Sequence, residues 1–201
     1  MARALILSVI LILGCSDSQT ETQTDTWVAT WSTAQQLTEP RNNPPEPGLS
    51  GNTIRQVVRV SLGGNKLRLS LSNRFGTEPV LINEVHVAQL LDGSTLIPKT
   101  DVQLTFGGRP TIAIPVGTNI LSDPFDFDLP ALSDVAITIF FESVGDDITG
   151  HPGSRTTSYI LIGDQANAPF FDKPVTTDHW YIIDRIDVIA DDEAVVVAAF
   201  G

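Results

Sequence analysis

The chain has 201 residues, with 24 acidic and 12 basic side chains, three histidines and one cysteine. A formal charge of −12 excludes the basic stripe of a nucleic-acid binder and adhesion to anionic lipid through a polybasic surface. One cysteine excludes a disulfide framework and the multi-cysteine zinc sites, while Val, Ile and Thr, 55 of the 201 residues, favour strands over helices.

Residues 1–15 (MARALILSVILILGC) read as an export signal. Arg3 supplies a minimal positive start. The apolar run at 4–13 is too short to cross a bilayer as a helix but has the length of a secretory core segment. Ile12-Leu13-Gly14-Cys15 resembles a bacterial lipobox, which makes Cys15 the lipidated N-terminus and accounts for an unpaired thiol in an exported chain. Residues 16–26 (SDSQTETQTDT) hold no apolar side chain, cannot bury surface, and are expected to form a polar tether holding the folded part roughly 15–20 Å from the bilayer. Ser16, rather than Asp, after the cysteine resembles the outer-membrane sorting signal of Gram-negative lipoproteins. The location expected is the outer membrane, facing the periplasm or the cell surface, with the lipid as the sole membrane contact.

From Trp27 the pattern is strand after strand. A first strand at 27–31 precedes a proline-rich loop at 35–51. Strands at 54–62 and 66–72 flank Gly63-Gly64-Asn65, which reads as a tight hairpin connection. Leu67, Leu69 and Leu71 alternate with Arg68, Ser70 and Ser72, placing leucines on a core face and polar groups in water. Further strands are expected at 80–91, 102–106, 111–114, 135–142, 157–162 and 180–189, separated by Gly and Pro signals. No convincing helical period follows Cys15. The fold class expected is all-β, an antiparallel, jelly-roll-like sandwich over residues 27–190. The run at 194–200 (AVVVAAF) is apolar on both faces and suits a central parallel strand covered on both sides. Residues 191–201 therefore read as the start of a second, α/β domain, with Gly201 opening a strand-to-helix loop. Exposed alone, that run has the profile of an aggregation-prone edge.

Four segments carry a resemblance. They are Trp27-Val-Ala-Thr-Trp31-Ser-Thr-Ala-Gln35; Thr53-Ile-Arg-Gln56-Val-Val-Arg-Val-Ser61 running on to Asn73-Arg74-Phe75-Gly76; Phe106-Gly-Gly-Arg109-Pro110; and His151-Pro-Gly-Ser-Arg155-Thr-Thr-Ser-Tyr159. In this order and spacing they resemble the N-terminal β-sandwich that precedes the catalytic domain in a group of secreted SGNH (GDSL-type) esterases. In that family an apolar strand leads into a Gly-Asp-Ser block bearing the nucleophile. Later blocks supply the oxyanion hole and an Asp-x-x-His pair. Here Gly201 resembles the first residue of the Gly-Asp-Ser block, and neither that block in full nor an Asp-x-x-His pair occurs in the 201 residues. The resemblance implies an accessory domain that is inactive alone, partnered by the SGNH catalytic domain and acting on acylated polysaccharide, with no cofactor and no metal. Trp31, Gln35, Asn73, Arg74, His151 and Arg155 are the residues expected to edge a substrate cleft or a domain interface.

The residues taken by themselves leave alternatives open. His151 and His179 lie outside any hydrolase spacing, and His86 reads as a polar strand residue. Asp126, Asp128, Asp146 and Asp147 lack the spacing of a calcium loop. Trp27, Trp31, Trp180 and Tyr181 suit either a core or a sugar-stacking surface. A stand-alone glycan-binding lipoprotein is thus the rival function, and a purely structural sandwich the third.

Overall fold

The computed structural model describes residues 26–189. The lipobox with Cys15, the tether up to Asp25, the apolar run at 194–200 and Gly201 lie outside the described residues.

Within them the chain is all-β, and no α-helix occurs among the described residues. In chain order the strands are β1 (Trp27–Ser32), β2 (Gln36–Leu37), β3 (Asn52–Arg59), β4 (Gly64–Ser72), β5 (Val80–Asp92), β6 (Thr95–Leu96), β7 (Val102–Gln103), β8 (Ile112–Ile114), β9 (Asn119–Leu121), β10 (Phe125–Leu129), β11 (Asp134–Ser143), β12 (Thr149–His151), β13 (Ser158–Ile162), β14 (Val175–Thr177), β15 (Trp180–Tyr181) and β16 (Ile183–Ile189). One sheet has the order β1-β16-β4-β10, with β9 also on β4. A second has the order β14-β13-β3-β11-β5-β6, with β7 and β8 on β5. A small third sheet is β15-β12-β2. All pairings are antiparallel.

The two large sheets share one core. Leu67, Leu69, Leu71, Ile186 and Val188 of the first meet Val58, Val85, Val87, Ile137 and Ile139 of the second, each at most 1% exposed. Burial of one such side chain contributes about 1.5–3 kcal/mol, and the period-two alternation is what places them all on the inner faces. This is the antiparallel sandwich that the composition and turn spacing predict.

The expected hairpin at Gly63-Gly64 does not form. β3 lies in one sheet and β4 in the other, so the connection crosses between layers, as in jelly rolls. Neither glycine has a positive φ. They are required for closeness instead: a Cβ on Gly63 would stand 2.6 Å from the Leu129 carbonyl oxygen, and one on Gly64 would stand 2.3 Å from a Val188 methyl. The serines that alternate with the β4 leucines are also not in water. Ser70 donates to Asp184 and Ser72 to Asn119, and both are buried because β16 and β9 flank β4. The segment 180–189 is two strands rather than one, broken at Ile182, whose φ is 65°. Residues 125–129 (FDFDL) form β10, with Phe127 and Leu129 buried and Asp126 and Asp128 exposed. The two aspartates are outward strand positions, not turn residues.

Candidate functional site

Three of the expected site residues come together at the third sheet. β15 follows β14 closely and pairs with β12, placing Trp180 opposite His151. The His151 ring lies nearly parallel to Trp180, with centroids 5.8 Å apart. Trp31, from β1, meets Trp180 edge-on at 5.0 Å. Trp180 Nε1 donates to the Val57 carbonyl at 3.0 Å, so the indole is anchored to the core as well as stacked. Both tryptophans are half-buried, which fits packing better than an open stacking platform. His151 Nδ1 donates to the Ala34 carbonyl at 2.6 Å. That bond fixes the tautomer and leaves Nε2 as the acceptor nitrogen while the ring is neutral.

Gln35 closes this patch from the β1–β2 connection, its amide donating to the Ile183 carbonyl at 2.7 Å. Beneath it, fully buried Gln56 imitates a strand neighbour. It accepts from the Tyr181 N–H at 2.6 Å and donates to the Tyr181 carbonyl at 3.0 Å. The pair locks the third sheet onto β3. Tyr181 is itself fully buried, and its hydroxyl donates to the Asn42 carbonyl in the proline-rich segment. Burial pushes the phenol up from its ordinary value.

Asn73 and Arg74 follow β4 and border the same region. The Phe75 N–H donates to Thr149 Oγ1 at the start of β12. Asn73 is a structural residue, fully buried, whose amide donates to the Glu78 and Ile114 carbonyls. Its Oδ1 is buried without a hydrogen-bond partner among the described residues and packs where Gly76 leaves room: a Cβ there would lie 2.0 Å away. Arg74 is exposed. Arg155 is also exposed, at a φ of 59°, in the loop after β12. That loop is held by Gly153 N–H donating to His179 Nδ1 and by Ser154 N–H donating to the Asp178 carbonyl.

A second polar layer carries no motif in the sequence. It lies on the outer face of β3, β11 and β5, under the 93–101 and 163–173 loops. Arg55 is fully buried. It donates to Thr138 Oγ1 and to the Ser94 and Ala168 carbonyls, and its guanidinium lies 4.1 Å from the Phe171 ring centre. Burial lowers its pKa to about 10, against an opposing pull from Asp101, so it remains charged at neutral pH. Two strands away, His86 is 3% exposed and bonds Asp101 at 2.8 Å and Glu84 at 3.2 Å. His86 alternates with Val85 and Val87 of the core and so lies on the face away from it, and Arg55 shares that face. Only the loops folding back over that face bury them, and their contacts join residues far apart in sequence.

Among the described residues no serine hydroxyl bonds a histidine ring nitrogen, and the histidine paired with carboxylates, His86, is covered. Asp147 accepts from Thr77 and Asp126 lies 3.8 Å from Lys66. Among the described residues no three His, Cys, Asp or Glu side chains are grouped to hold a metal ion. No protein-family model matches the chain, and no curated protein matches it.

Proposed function

We propose that this chain is the β-sandwich accessory unit of an envelope-anchored SGNH-type carboxylic ester hydrolase, tethered through Cys15, whose catalytic blocks lie in a separate domain. The observation that supports this reading is convergence. Three segments of the resemblance, distant in sequence, gather at the small sheet: Trp31 and Gln35 from the first, the Asn73–Gly76 turn from the second, and His151 from the fourth. A half-buried aromatic centre with exposed Arg74 and Arg155 near its border has the apolar-core, polar-rim form of an interface. The catalytic domain is the partner it suits, with acylated polysaccharide as the substrate at the junction. The serine nucleophile and its acyl-enzyme then belong to that domain.

The purified chain is expected to show no turnover of a small activated acyl ester. Turnover abolished by a serine-directed phosphonate overturns the proposal. The gene provides an independent check. Asp-Ser codons shortly after Gly201, in frame or frame-shifted, support the reading, and a stop with unrelated sequence beyond it overturns the reading.

A second reading, a glycan-binding lipoprotein acting alone, is favoured by a different observation: an open cleft lined by Asn83, Arg109 and Glu142, whose side chains make no hydrogen bond or ion pair among the described residues.

A further inference from the structure

Two irregularities on neighbouring strands fall side by side. β5 and β11 pair Glu84 with Phe140, Ile82 with Phe141, and Leu81 with Ser143. Asn83 on one strand and Glu142 on the other are therefore left without a partner across the ladder. The far edge of β5 has a gap at the same level. β8 pairs with it only up to Ile82, and β7 only from His86. Bulges bend a strand and re-aim its side chains. Here they bring Asn83 and Glu142 to one open cleft of about 640 Å³.

The facing wall is the turn at 105–111. The Phe106 N–H donates to the Arg109 carbonyl at 2.8 Å, and Gly107 and Gly108 between them have φ of 61° and 76°. Two consecutive positive φ values define the two-residue turn that glycine favours. Asp123 clamps it, accepting from Thr105 Oγ1 at 2.7 Å and from the Gly108 and Gly107 N–H groups at 2.7 and 3.0 Å. The turn thus presents Arg109 from a braced base, over a floor that includes Leu81, Ile112 and Ala113.

Among the described residues the side chains of Asn83, Arg109 and Glu142 make no hydrogen bond or ion pair. Arg109 is a fork of donors, Glu142 accepts, and Asn83 does both. A ligand that satisfies all three carries donors and acceptors on adjacent atoms, as the vicinal hydroxyls of a sugar ring do. The ring's C–H face would lie on the apolar floor. Phosphate or sulfate is opposed by Glu142 and by the overall charge of −12. We propose that this cleft binds a neutral sugar unit of a polysaccharide. The choice of ligand leans on the polysaccharide-directed reading above; the cleft itself does not.

The test is an amide-resolved NMR titration of the full chain with neutral xylose and glucose tetrasaccharides. Saturable shifts confined to Asn83, Gly107, Arg109, Ala113 and Glu142 are expected with at least one of them. Arg109→Ala and Glu142→Gln should each weaken binding about fivefold or more at unchanged melting temperature. Four outcomes overturn the proposal: no saturable shift with either sugar, shifts centred on Trp31 and His151 instead, equal affinity in both variants, or saturation of the cleft by a zwitterionic dipeptide but by neither sugar. The esterase reading stands or falls on the gene sequence and on turnover, so its failure is distinguishable from this one.

Discussion

His86 shows how one side chain ties the outer face of the sandwich to its loops. Burial alone lowers the pKa of an imidazole, but the hydrogen bonds and charges of Asp101 and Glu84 outweigh it, and the pKa lies above its ordinary value. A raised folded-state pKa means that the stabilisation is fully present below the unfolded value, about 6.5, and is lost as pH rises through the folded value. Above that pH, neutral His86 keeps a proton for one carboxylate only and turns a lone pair toward the other. Asp101 closes the loop after β6, and Asn167 reaches Glu84 from the 163–173 loop, so both coverings weaken together. Urea midpoints of the wild type and His86→Gln, measured across pH 5.5–9, are expected to differ most at the acid end and to converge as pH rises. A difference that grows with pH is the opposite result. Arg55, next but one in the sheet, holds the Ser94 and Ala168 carbonyls of the same two loops and stays charged throughout this range.

At the scale of elements, the connection between β3 and β4 carries a sharper constraint than turn chemistry. A hairpin glycine tolerates substitution wherever φ is negative. Gly63 has a negative φ, yet its missing side chain faces backbone at the Leu129 carbonyl and, 2.8 Å away, the Ala131 N–H. Backbone atoms of a paired strand do not move aside as a flexible side chain does. Gly63→Ala is therefore expected to cost about 1–3 kcal/mol by overpacking, read as a fall in melting temperature of about 2–4 °C for each kcal/mol in a chain of this size. An unchanged melting temperature would contradict the close approach of β4 to the β10–β11 connection. The strands missed in the sequence teach the same lesson from the other side. β10 has textual alternation, but its aspartates draw the eye as turn or ligand residues. β2, β6, β9, β12 and β14, of two or three residues each, are too short to show any period and exist because neighbouring strands present an edge to them.

Among the described residues both large sheets share the main core, beside a small satellite of Ala88, Leu96 and Ala136, which predicts one unfolding event. Leu69→Ala on β4 and Ile137→Ala on β11 are each expected to cost about 2–5 kcal/mol. Each should lower a single transition that tryptophan fluorescence and far-UV circular dichroism report at the same temperature. Separate transitions for the two probes would mean that the sheets are stable apart. The proposed interface at Trp31, Trp180 and His151 and the proposed sugar cleft at Asn83, Arg109 and Glu142 are built on the same scaffold from different residues, so their loss can be tested one at a time.

By itself the sequence determined the fold class, most of the long strands and the core face of the β4 leucines, because burial on a sheet obeys a period of two that is written in neighbouring residues. It also singled out Trp31, Gln35 and His151, whose meeting at β12 and β15 is the heart of the candidate site. Tertiary structure alone decided which strands share a sheet, that Gly63-Gly64 bridges layers rather than turning a hairpin, that Asn73 is a buried brace while Arg74 is exposed, and that Arg55 and His86 lie beneath loops. It alone brought Asn83, Arg109 and Glu142 to one cleft. These outcomes depend on contacts between segments tens of residues apart, which no local period or turn signal encodes.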